Sequence, residues 1–173
     1  MNLADLARSK QRYAAAKHDY EEVVQIAGEL SNRRAEGIAR YELADVLRGL
    51  GEYSKALAQF MQALAIFGEI GDPVLETFAL AALGALYSDL GDYERANQYL
   101  QEALQRSEPL SAPDAKPTVW LATALFYQQT GRYEDALNFA TRSHEDAQAH
   151  SNRQMEATGL FYCGLALEQL ALA

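Results

Sequence analysis

A forty-residue period constrains this chain more than any other feature. Gly51-Glu52-Tyr53, Gly91-Asp92-Tyr93 and Gly131-Arg132-Tyr133 stand forty residues apart. One more step back gives Gln11-Arg12-Tyr13, which keeps the tyrosine and loses the glycine. Three residues after each tyrosine stands an alanine, at Ala16, Ala56, Ala96 and Ala136, and Val23, Ala63, Ala103 and Ser143 follow seven further on. Upstream, a small residue recurs at Ala44, Gly84, Ala124 and Gly164. Each copy is too small to bury its own apolar face, so copies must stack to form one core.

Between these marks the pattern is helical. Leu80, Leu83, Gly84 and Tyr87 fall at i, i+3, i+4 and i+7, as do Tyr93, Ala96, Leu100 and Ala103. Each unit therefore reads as two antiparallel helices, A and B, with Gly51, Gly91 and Gly131 closing helix A. Asp72-Pro73 opens an A helix with an acceptor side chain followed by a first-turn proline. In Ser111-Ala112-Pro113-Asp114-Ala115-Lys116-Pro117 the second proline is tolerated only in a first turn, so Asp114 is the expected cap and that helix starts late. The expected helices cover 2–9, 11–30, 33–49, 52–70, 73–89, 92–109, 115–129, 132–149 and 153–171, with no strand.

A chain of 173 residues that is 49% hydrophobic suits one folded domain, here residues 1–173. Its units are 1–32 (partial), 33–72, 73–112, 113–152 and 153–173 (partial). A single cysteine excludes a disulfide framework and fits a reducing compartment. No apolar run approaches the ~18–20 residues that cross a bilayer, and Met1-Asn2-Leu3-Ala4-Asp5-Leu6 lacks the features of a secretion signal. The expected location is cytoplasmic. The formal charge is −9. Residues 1–72 hold nine basic and eleven acidic side chains (−2), and residues 73–173 hold six and thirteen (−7). Nucleic acids and anionic membranes are poor partners for such a field.

These columns resemble the tetratricopeptide repeat family, whose pattern is W-x2-L-G-x2-Y followed by A-x3-F. Leu80-x2-Leu83-Gly84-x2-Tyr87 with Ala96 and Leu100 matches it, as does Trp120 with Ala124, Tyr127 and Ala136. Leu43-Ala44, Ala56-x3-Phe60 and Ala63 supply another copy, in which Arg40 and Leu47 fill the usual aromatic columns. Leu160, Cys163, Gly164 and Leu167 make half a copy. The family's usual period is about 34, so each helix here is longer by about three residues, roughly 4.5 Å. The long-helix units resemble those of peptide-binding adaptors and of the sensor domains of signalling ATPases. The resemblance implies an all-α, right-handed superhelical solenoid of about four α-α hairpins. The small residues let helices A and B approach to about 8–10 Å, with Gly84 facing Ala96 and Ala124 facing Ala136.

The resemblance also implies that A helices line a concave groove. Its positions fall on Ile38, Tyr41, Asp45, Arg48 and Gly49, then on Phe78, Ala81, Ala85, Ser88 and Asp89. They continue through Thr118, Leu121, Leu125, Gln128 and Gln129 to Thr158, Phe161, Leu165, Glu168 and Gln169. The lysine, arginine and asparagine set of a carboxylate clamp is absent from them. An apolar strip with a polar rim suits a partner's amphipathic helix or an extended peptide with hydrophobic anchors. The alternative is burial of these residues against one another or against a second copy. Leu160, Leu165, Leu167, Leu170 and Leu172 make a poor terminal cap, which suggests a segment of a longer repeat protein or a homodimer through that end.

Little chemistry is legible. Cys163 lies in an apolar helical column, and His144 and His150 are six apart rather than the three or four that share a face. There is no phosphate-binding glycine loop and no HExxH, so no enzyme activity, cofactor or metal is expected. Trp120 reads as core, and Tyr53, Tyr93 and Tyr133 as fasteners of the A–B turn. The favoured expectation is a non-catalytic protein-binding scaffold. The rivals are a ligand-sensing or autoinhibitory domain of a larger ATPase or transcription regulator, and a homo-oligomeric structural scaffold.

Overall fold

A computed structural model describes residues 3–172, with side chains from residue 11 onward. Residues 1, 2 and 173, which include the expected start of the first helix, lie outside the described residues. Among the described residues the elements are α1 (Leu3–Glu29), α2 (Arg33–Gly49), α3 (Tyr53–Ile70), α4 (Pro73–Asp89), α5 (Tyr93–Ser107), α6 (Ala115–Gln129), α7 (Tyr133–Ala149) and α8 (Arg153–Leu172). The fold is all-α. Two expectations are corrected. The break expected between residues 9 and 11 is absent, because Lys10-Gln11-Arg12 offers neither glycine nor proline to stop α1. Helix α5 stops at Ser107 rather than 109: Glu108 keeps helical dihedrals (φ −57°, ψ −47°), but Pro109 has no amide hydrogen to continue the ladder.

The turns explain the period. Gly51, Gly91 and Gly131 have φ of 77°, 75° and 74°, the left-handed region where a side chain is costly. Each lets the next amide bond back five residues, as in Glu52 N–H to Leu47 O at 2.9 Å and Asp92 N–H to Tyr87 O at 2.9 Å. Gly71 does the same between α3 and α4 at φ 66°. Its forty-residue counterparts are Ser31 (φ 54°) and Ser151 (φ 58°), so two serines hold a conformation that suits glycine.

Caps follow the same columns. The side chains of Asn32, Asp72 and Asn152 accept from the amides of Ala35 (3.2 Å), Leu75 (3.1 Å) and Met155 (3.1 Å). Asp114 occupies the cap position of α6 as expected, but its side chain does not cap that helix. Its Oδ1 instead accepts from Asn152 Nδ2 at 2.7 Å.

The chain packs as two compact units, residues 1–79 and 80–173. In the first, α2 packs on α1 and on α3. Ala56, Phe60 and Ala63 are fully buried on α3, and Ile38, Tyr41, Leu64, Ile70 and Leu75 close over Ala63, Phe67 and Ala79. Burying a side chain as large as Phe60 contributes roughly 1.5–3 kcal/mol. Glu36 is 8% exposed and takes hydrogen bonds from Arg33 (2.8 Å) and from Arg40 (3.0 and 2.9 Å). Arg40 also donates to Gln59 and Gln62.

In the second unit, α6 packs on α5 and α7, and α7 packs on α8. The crossing expected at Gly84 is present: a Cβ there would lie 3.2 Å from the Ala96 carbonyl oxygen and closer still to Leu100. Ala96, Ala124 and Ala136 are all buried. Tyr87 stacks on Tyr99 with centroids 5.4 Å apart and carries the Arg95 guanidinium 4.5 Å above its ring. Tyr127, Phe139 and Arg132 repeat that arrangement at 5.7 and 4.3 Å. Trp120 is buried with Arg142 at 4.5 Å from its ring. Tyr93 touches Phe126 edge-on at 6.3 Å while remaining 47% exposed.

Candidate functional site

The groove positions differ in character between the two units. In the first, Ile38 and Tyr41 face the Ala63–Phe67–Ala79 cluster, and the Tyr41 ring meets Phe60 edge-on at 5.5 Å. Burial, then the charges of Asp45 and Glu42, push the Tyr41 phenol up to about 12. Glu42 is raised by burial and by Asp45, so this rim is an acidic one. Asp45 is exposed and pairs with Arg48 at 3.1 Å, Gly49 is exposed, and Phe78 is half-buried.

In the second unit, Ala81 and Ser88 are buried, at 2% and 6% exposure, and Ala85 is half-buried. The Ser88 hydroxyl bonds the Gln129 carboxamide, which ties the rim of α4 to that of α6. Thr118, Leu121, Leu125 and Gln128 lie half-buried along α6. Helix α8 packs beside α6 and adds half-buried Leu165 and Thr158 and the 61%-exposed Phe161. Thr158 satisfies its hydroxyl on the Gln154 carbonyl at 2.8 Å. Asp89, Gln129 and Glu168 are exposed and Gln169 is half-buried. Neighbouring A helices of one unit thus present leucine and phenylalanine carbon, edged by amides.

Chemistry elsewhere is sparse. Cys163 is half-buried with its Sγ 3.6 Å from Thr141 Oγ1. His144 Nδ1 meets the Glu156 carbonyl at 3.2 Å, and His150 meets the Asp146 carboxylate at 3.1 Å. Among the described residues no group of three His, Cys, Asp or Glu side chains could hold a metal, and no helix is long and apolar enough to cross a membrane. A cleft of about 390 Å³ in the first unit is lined by Lys17, Arg40 and Lys55, but Glu52 answers both lysines and Glu36 the arginine.

Two features escaped the sequence reading. Helix α1 exposes Val23 (44%) and Ile26 (47%), visible in sequence only by asking which half of a unit α1 represents. The Glu36–Arg40 pairing was signalled by a charge in a column held elsewhere by Leu80, Trp120 and Leu160.

A family model described as tetratricopeptide repeat matches residues 1–69 and 75–149. Repeats of this family generally mediate protein–protein interaction or scaffolding. No curated protein matches the chain. Among solved structures, the crystal structure of BtubC (BKLC) from P. vanneervenii is similar, with a TM-score of 0.68 and 21% identity over 93% of this chain and 71% of that one. At that identity the likeness concerns the fold alone.

Proposed function

Because this chain belongs to the tetratricopeptide repeat family, we propose that it is a non-catalytic binding module whose A-helix face takes an apolar or amphipathic segment of a protein partner. The observation that supports this most is the strip of Leu121, Leu125, Phe161 and Leu165 on α6 and α8. Phenylalanine exposed to 61% beside half-covered leucines makes the kind of contiguous apolar patch that marks an interaction site. The edging amides of Gln128 and Gln129 can orient a peptide without demanding a charged terminus. On the first unit the corresponding positions hold Tyr41 and the paired Asp45 and Arg48.

The test is selection of a displayed random peptide library on the protein. Selected peptides are expected to carry large apolar anchors at three- or four-residue spacing. Leu121→Glu combined with Leu125→Glu should weaken them by roughly tenfold or more, about 1.4 kcal/mol. Peptides that bind this double variant and the parent equally would move the site off α6, provided both give the same helical circular dichroism.

A further inference from the structure

We propose that the cleft of about 390 Å³ in the first unit binds a small, uncharged, planar aromatic molecule the size of indole. It lies among α1, α2 and α3, over the buried Leu43 and Leu47 and between Val24, Ala58 and Gln59. The forty-residue register shows what fills the same columns elsewhere. Leu47 and Gln59 hold the columns of Tyr87 and Tyr99, whose rings stack 8° from parallel with centroids 5.4 Å apart. They also hold the columns of Tyr127 and Phe139, which stack at 5.7 Å. Arg40 holds the column of Trp120, a ring that lies 4.5 Å from the Arg142 guanidinium. In the first unit these rings are replaced by a leucine, an amide and a cation, and a cleft stands among the replacements.

The cations that attend such rings remain. Lys55 lines the cleft and holds the column of Arg95, whose guanidinium lies 4.5 Å over the Tyr87 ring. Arg40 lines it as well. Its Nε and Nη2 donate to Glu36 at 3.0 and 2.9 Å, and its Nη1 donates to Gln59 and Gln62 at 3.0 and 2.6 Å. With all three nitrogens engaged in its own plane, this guanidinium has its flat face left to offer, the surface that stacks on aromatic rings. Charge disfavours an ionic guest. Lys17, Arg40 and Lys55 are answered by Glu21, Glu36 and Glu52, and Glu52 bonds both lysines. A ring needs no counter-ion, because it takes the face of a cation whose edge is already satisfied. The volume falls within the roughly 300–1,000 Å³ of small-molecule sites.

The test titrates indole into the protein and follows the methyl resonances of Val24, Leu43 and Leu47. Saturable shifts at these residues are expected, with a dissociation constant in roughly the millimolar range for so small a ligand. Phenol should bind more tightly than cyclohexanol, which matches its size and hydroxyl but lacks the ring's electrons. Leu47→Tyr with Gln59→Phe rebuilds the stack of the other units, and it should abolish indole binding while the helical circular dichroism persists. Lys55→Gln alters an exposed side chain, so it should fold and weaken indole by roughly two- to fivefold. The proposal is overturned if no shift saturates up to the solubility of indole, or if the shifts fall on Leu121 and Leu125 instead. Cyclohexanol binding as tightly as phenol overturns it too, as does unchanged affinity in Lys55→Gln or indole binding by a folded double variant. Leu121 and Leu125 are intact in every variant, so failure here leaves the peptide-binding reading standing.

Discussion

A Cβ added to Gly84 would sit 2.6 Å from the Cγ of Leu100, closer than two carbons tolerate, whereas the same atom on Gly164 meets nothing within 4 Å. One column of the repeat therefore holds two glycines with opposite requirements. Gly84→Ala should destabilise by about 1–3 kcal/mol, because the gain in helix propensity is smaller than the overpacking. Gly164→Ala should stabilise the single chain by about 0.5–1 kcal/mol. Urea titrations of both would check this, and shifts of the same sign would refute the assigned crossing.

Ser31 and Ser151 stand at φ 54° and 58°, in the column where Gly71 stands at 66°. The left-handed conformation costs a residue with a Cβ about 1 kcal/mol, part of which glycine returns through its freer unfolded chain. Ser31→Gly and Ser151→Gly should each raise stability by about 0.5 kcal/mol, and their effects should add because the sites are distant in sequence and lie in different units. Thermal melts read this directly, and a loss of stability in both would contradict it.

Tyr41 holds its proton up to about 12 because of burial and of Asp45 and Glu42, against 10.0 for a free phenol. The folded state thus favours the protonated form. Its contribution is fully present below pH 10 and is lost as the pH rises towards 12. Tyr41→Phe keeps the edge contact with Phe60 and removes the titration. The parent should therefore lose up to about 2 kcal/mol more than the variant across that interval. Parallel alkaline unfolding curves for the two proteins would sink this account.

For Glu36, burial pushes the carboxyl upward, but hydrogen bonds from Arg40 and Arg33 outweigh it and leave the group below its ordinary value. The contribution is present at neutral pH and disappears as the pH falls through the lowered value. Arg40→Leu should cost about 1–3 kcal/mol at neutral pH, with the deficit shrinking in acid as Glu36 protonates. A deficit independent of pH would show that Arg40 acts by packing alone.

Much of this architecture was legible because the period is carried by steric necessities. A left-handed turn admits glycine most easily, and a close crossing requires a small side chain, so Gly51, Gly91, Gly131, Ala96 and Ala136 mark their own positions. Where the marker was missing the reading failed. Gln11 holds the glycine column without closing the helix, so α1 runs through a position where a break was expected. Ser31 and Ser151 lack the glycine as well, yet their turns were legible from the helical patterns that end before them and resume at Arg33 and Arg153. The surface was harder to read than the scaffold. Ala81 and Phe161 fill one column, yet they are 2% and 61% exposed, because exposure depends on what covers a helix rather than on its own spacing. Asp114 was placed correctly as a cap position, but its carboxylate serves Asn152, a partner thirty-eight residues away.

That last bond gives one amide a special liability. Asn152 must receive the Met155 amide on its oxygen while offering its nitrogen to Asp114, a double duty that a carboxylate cannot perform. Hydrolytic ageing of this side chain would turn an attraction into two like charges side by side and loosen the start of α8. Asn32, whose oxygen serves Ala35 alone among the side-chain bonds described, would tolerate the same conversion. Spontaneous deamidation should therefore be felt at one end of the repeat array and pass almost unnoticed near the other. Comparing the melting of Asn152→Asp with that of Asn32→Asp would expose any error in that asymmetry.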